Sequence, residues 1–120
     1  MVKKYDELIV WQKAMDLVVK VYSLVKLLPK EEMYSLSDQM RRAAVSIPSN
    51  IAEGQERNTT KDFIHFLYIA KGSKAELETQ LKLCIRLKYI SESQASEATA
   101  LIIEIGKMLN TLIHKLATNH

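Results

Sequence analysis

The chain has 120 residues with 17 basic and 14 acidic side chains, a net charge of +3 and a pI near 9.0. That length suits one domain with one core, and 48% hydrophobic residues with only three Gly and two Pro favour helices over turn-rich β structure. One cysteine, Cys84, excludes an intrachain disulfide and a cysteine metal site, and points to a reducing cytoplasm.

The first predicted helix spans about residues 6–28. Leu8, Trp11, Met15, Val18, Tyr22 and Val25 recur at alternating spacings of three and four, and Val10, Ala14, Leu17, Val21, Leu24 and Leu28 form a parallel stripe. Both stripes read as apolar surface, which places Trp11 and Tyr22 in packing. Pro29 ends the segment.

The second helix spans about 36–57, with Ser37 as its cap and Met40, Ala44, Ile47 and Ile51 pointing inward. Pro48 lacks an amide donor and clashes with the preceding turn, so a kink is expected there, with Ser49 and Asn50 serving the freed backbone. Gly54 begins the exit.

The third helix spans about 60–88, capped by Thr59 or Thr60. Its seam is Phe63, Leu67, Ala70, Lys74, Leu77, Leu81, Cys84 and Lys88, while Ile69, Leu83 and Leu87 lie on a second face. The fourth spans about 92–117. Ser91-Glu92-Ser93-Gln94 fits a capping box, and Ala98, Ile102, Ile105, Leu109, Leu112 and Leu116 form its seam. The tail Thr118-Asn119-His120 is expected to fray. Short connections force neighbours antiparallel, so the expected fold is all-α, an antiparallel up-down-up-down four-helix bundle occupying the whole chain.

Two motifs carry a family resemblance. Arg42-Ala-Ala-Val-Ser-Ile-Pro-Ser-Asn-Ile-Ala-Glu-Gly54 and Phe66-Leu-Tyr-Ile-Ala-Lys-Gly-Ser-Lys-Ala-Glu-Leu-Glu-Thr-Gln-Leu81 resemble the 23S ribosomal RNA intervening-sequence protein family, over nearly the whole chain. The resemblance implies a bacterial four-helix bundle. It is also similar to accessory proteins of diversity-generating retroelements, pentamers that work with a reverse transcriptase and nucleic acid.

Three candidate surfaces follow. Arg42, Ser46, Asn50, Glu53 and Arg57 flank the inward stripe of the second helix. Antiparallel pairing sets Arg42 level with Glu76, and Gly72-Ser73 level with Pro48, so these residues read as a structural polar network in which Gly72 allows close approach. Lys71, Lys74, Lys82 and Arg86, with Lys61 near the start, line one side of the third helix; they suit phosphates of RNA or DNA or a protein partner, though Glu78 interrupts them. Ile69, Leu83 and Leu87 are the expected interface of a homo-oligomer, and the resemblance makes a pentamer the specific expectation.

Catalysis has little support. The sequence offers no phosphate loop, no nucleophile with a base, and no paired Glu-x-x-His for a di-metal site; Asp62-x-x-His65 is the nearest approach. His65 is expected to be exposed and Cys84 to sit in the seam. No catalytic, metal or cofactor residue is assigned. No apolar run reaches a membrane span of about 18 residues. The expectation is a non-enzymatic binding protein, or an accessory subunit docking on a partner such as a reverse transcriptase.

Overall fold

The computed structural model describes residues 4–118; Met1–Lys3 and Asn119–His120 lie outside it, and with them His120 and most of the tail. Four helices follow in order: α1 (Ile9–Val25), α2 (Leu36–Gln55), α3 (Thr60–Arg86) and α4 (Glu92–Thr118). Each helix packs closely on two others, α1 on α2 and α4, α3 on α2 and α4, while among the described residues the backbones of the diagonal pairs stay further apart. Lys13 pairs with Glu104 at 3.4 Å and Lys20 with Glu97, so α1 and α4 run antiparallel. Met40 against Cys84 and Ser46 against Ser73 set α2 antiparallel to α3. The result is a rod of 47 × 24 × 20 Å.

Most of the expected seam residues form the core, but Phe63, Lys74, Leu112 and Leu116 are half-buried, Lys88 is exposed, and Ile113 is buried in addition. Leu17, Met40, Ile47, Ile51, Leu67, Leu77, Ile102, Ile105 and Leu109 are fully buried. Burying each such side chain contributes roughly 1.5–3 kcal/mol. Two caps are as the sequence predicts. Asp62 N donates to Thr59 Oγ1 at 3.1 Å; Gln94 N donates to Ser91 Oγ and Ser91 N to Gln94 Oε1, both at 3.0 Å.

Several boundaries differ. The first segment is broken: Tyr5–Glu7 is a 3-10 turn, Leu8 is extended, and α1 stops at Val25, although Leu28 stays buried. Ser37 is not the cap of α2. Ser35 stands there, and its hydroxyl donates to Glu32 Oε1 at 2.7 Å. Tyr89 also donates to Glu32, at 3.0 Å, so one carboxylate ties the α1–α2 turn to the α3–α4 turn. These two bonds, Ser35 first, hold the Glu32 carboxyl below its ordinary range. Thr118 is helical and bonds back to His114 O at 3.0 Å.

The α3 helix ends at Arg86, before Lys88, which takes a left-handed φ of 64°. Lys88 N donates to Ile85 O and Tyr89 N to Cys84 O, both at 3.0 Å, which satisfies the terminal carbonyls. Glycine usually occupies such a position because a Cβ there costs about 1–2 kcal/mol.

The two glycines of interest exchange roles. Gly54 is inside α2, where an added Cβ would lie 2.6 Å from Phe66 Cβ and 3.1 Å from the Phe63 ring. Gly72 is exposed, with nothing within 4 Å of such a Cβ, so it does not face Pro48 and permits no close approach. α2 runs continuously through Pro48, whose ring is buried. Asn50 Nδ2 donates to Ser46 O at 2.8 Å and to Ser46 Oγ at 2.9 Å, while Ser49 points to solvent.

Two outcomes are expected in chemical denaturation. Gly54→Ala lowers stability by about 1–3 kcal/mol through overpacking, whereas Gly72→Ala raises it by about 0.5–1 kcal/mol. An equal response at the two sites would contradict the packing described. Lys88→Gly adds about 1 kcal/mol by relieving the left-handed backbone; a lower midpoint would mean that the lysine side chain holds the turn.

Candidate nucleic-acid and partner surface

The small residues of α2 and α3 decide what their outer surface presents. Ser46 and Ser73 share a hydrogen bond of 2.7 Å, the one bond of the expected polar network that joins the two helices side chain to side chain. The rest turn back on their own helices. Arg42 Nε pairs with Asp38 at 3.0 Å rather than with Glu76, Glu76 accepts from Gln80 at 3.2 Å, and Arg57 pairs with Glu53 at 2.9 Å. Arg57 also lies 4.8 Å over the Phe66 ring, a cation–π contact across the α2–α3 turn. The network is therefore one half-buried hydroxyl pair with exposed intrahelical ion pairs beside it.

The basic stripe of α3 divides in the same way. Lys71 Nζ sits 5.9 Å above the Tyr68 ring. Lys82 is 73% exposed and only 3.9 Å from Glu78, a loose pair. Arg86 and Lys61 are exposed. Lys74 is different: its side chain is 19% exposed, it lies over Gly106 of α4, where an added Cβ would stand 3.4 Å from Nζ, 3.5 Å from Cε and 3.9 Å from Cδ, and its ammonium reaches Glu78 at 3.5 Å. It covers apolar surface with its stem and is not a free phosphate ligand. Lys71, Lys82 and Arg86 remain for a partner. Exposed pairs such as Lys82–Glu78 are worth about 1 kcal/mol or less, so a phosphate can displace them.

Ile69, Leu83 and Leu87 are exposed at 39%, 44% and 47%. Their separations are close to whole helical turns, so they form one line along α3. The sequence missed a second exposed set. On α1, Met15 and Tyr22 are exposed, Trp11 is half-buried edge-on to Tyr5 at 5.5 Å, and Val19 is the most exposed aliphatic. The stripe containing Trp11 and Tyr22 is thus an outer edge, while its neighbour, Val10 to Leu28, fills the core. A groove of about 510 Å³ separates α3 from α4, floored by Leu81, Ile85 and Ile102 and rimmed by Glu78, Lys82 and Glu92.

Cys84 is buried with its Sγ 3.5 Å from Met40 Sδ. Burial first, and the charge of Glu32 second, raise its pKa to about 11, which leaves a thiol rather than a thiolate at neutral pH. His65 is exposed, edge-on to Phe66 at 5.5 Å. Among the described residues no group of three His, Cys, Asp or Glu is placed to hold a metal, and no helix is long and apolar enough to cross a membrane.

Comparison with known proteins agrees with this architecture. A solved structure from Bacteroides thetaiotaomicron VPI-5482, a protein with unknown function from the S23 ribosomal protein family, shares 32% identity, covers 87% of this chain and 97% of its own, and superimposes with a TM-score of 0.80. Curated proteins give no match. The family model described as 23S rRNA-intervening sequence protein matches residues 6–111. The chain belongs to the 23S rRNA-intervening sequence protein family.

Proposed function

We propose that the protein acts by binding rather than catalysis, as a homo-oligomer whose assembled surface engages RNA or DNA. The observation that carries this reading is the line of Ile69, Leu83 and Leu87, left in water above a core that is already complete. Exposed apolar patches are often covered by a partner; Leu83 and Leu87, one turn apart, form such a patch, with Ile69 about 21 Å along the same line. Closed rings of identical subunits bury such a surface on every copy, and the resemblance to pentameric accessory proteins favours five. The family name, with its ribosomal RNA context, supports a nucleic-acid ligand, for which Lys71, Lys82 and Arg86 supply the phosphate contacts, with Lys61 toward the other end.

The second reading, an accessory subunit docked on a protein such as a reverse transcriptase, is favoured by the exposed face of α1 with Met15, Val19 and Tyr22. It predicts a protein that copurifies with the native chain and is lost when these side chains become charged.

Light scattering at micromolar concentration is expected to give a multiple of the 13.7 kDa monomer mass. Leu83→Glu with Leu87→Glu is expected to yield monomers of unchanged helical content; a monomeric parent would sink the assembly reading. With structured ribosomal RNA, replacing Lys71, Lys82 and Arg86 by Gln should weaken binding and reduce the salt slope by about one unit per lost contact. An unchanged slope would remove the stripe from the interface.

A further inference from the structure

The outward side of α3 carries one uninterrupted stripe. Every residue reached from Lys61 to Arg86 at alternating steps of four and three is exposed, and none is acidic. The stripe is about 37 Å long at the helical rise per residue. Lys61 stands at one end and Lys82 and Arg86 at the other, and Tyr68 lies between them, 55% exposed. One turn on from the ring the helix is bare: Gly72 and Ala75 are exposed, and nothing lies within 4 Å of a Cβ built at Gly72. Lys71 Nζ sits 5.9 Å from the centre of the Tyr68 ring, a cation beside an aromatic face of the kind that accompanies stacked bases.

The middle of the stripe decides which nucleic acid it fits. A helix that reads duplex DNA needs hydrogen-bonding side chains on the base edges. Here the middle offers Gly72, Ala75 and Thr79, and the Thr79 hydroxyl donates to Ala75 O of its own helix at 2.9 Å. Duplex RNA closes its narrow major groove to such a helix. An unpaired base needs only an aromatic face with open surface beside it, and the strand that carries it needs cations along its path. Tyr68 supplies the first, and Lys61, Lys82 and Arg86 supply the second. The apolar line of Ile69, Leu83 and Leu87 is about a quarter turn around the same helix, so it lies beside the stripe rather than within it.

We infer that α3 binds a single-stranded stretch of nucleic acid along this stripe, with an unpaired base stacked on Tyr68 and phosphates on Lys61, Lys82 and Arg86. Such binding rests on the nucleic-acid role proposed for α3. It narrows the ligand from any RNA or DNA to an unpaired strand, and it makes Tyr68 the residue that holds a base.

The test uses the full chain with two probes, a short oligouridylate and an RNA hairpin of equal charge. The parent should bind the single strand more tightly than the hairpin. Tyr68→Ala should weaken the single strand about tenfold and leave the salt slope unchanged, because the ring carries no charge, while Tyr68→Phe should keep the parent affinity. Lys82→Gln with Arg86→Gln should instead flatten the slope by about one to two units. A 2-aminopurine placed in the strand should lose fluorescence on binding the parent and keep it with Tyr68→Ala. Equal thermal midpoints of parent and variants separate these losses from unfolding. Binding to neither probe defeats the nucleic-acid role itself and this site with it. A hairpin bound at least as tightly as the single strand, or a Tyr68→Ala protein that matches the parent, overturns the single-strand site alone and leaves the phosphate contacts of α3 standing.

Discussion

The close approach of α2 and α3 is the constraint on which the other packing rests. Two helices can come this near only where side chains are small. Gly54 leaves room for the Cβ of Phe66 and the ring of Phe63, while Ser46 and Ser73 meet through their hydroxyls. Further along, Met40 meets Cys84 in the closed interior. This pair shares the most extensive interface of the bundle. The other side is looser, with grooves of about 510 Å³ between α3 and α4 and about 460 Å³ between α1 and α4. Ala100, too short to fill either gap, lines both.

Electrostatics is arranged around that frame. Glu78 holds Lys74 against Gly106 and leaves Lys82 loosely paired, so one carboxylate separates a lysine that packs from a lysine that remains available. Asp38 is likewise shared between Arg41 and Arg42. The mild net charge of +3 is therefore not spread evenly in usable form. Free cations lie along outer α3. Local potentials of this kind steer anionic partners more than a modest total charge suggests.

The apolar surface has its own logic. A four-helix bundle needs one stripe from each helix, and α1 and α3 both carry more than that. The surplus on α3, Ile69, Leu83 and Leu87, lies on the face away from the core. The surplus on α1 lies beside the core stripe and leaves Met15, Val19 and Tyr22 exposed.

Periodicity along the chain determined the helices, their order, the inward stripes of α2 and α4, and two of the caps, because each rests on contacts within a few residues. The Thr59 cap and the Ser91–Gln94 box needed no tertiary information. Tertiary structure alone decided which of two adjacent stripes on α1 faces inward, since both satisfy the same spacing and only the positions of α2 and α4 distinguish them. It also decided which glycine is structural: Gly54 and Gly72 look alike in sequence, but only Gly54 meets another backbone. The same holds for the cap of α2, where the carboxylate of Glu32 arrives from the preceding turn and is held by Tyr89 from the α3–α4 turn. Lys74 was legible as a cation in a helical seam, but not as a side chain folded over Gly106, because the partner that buries its stem lies on a different helix.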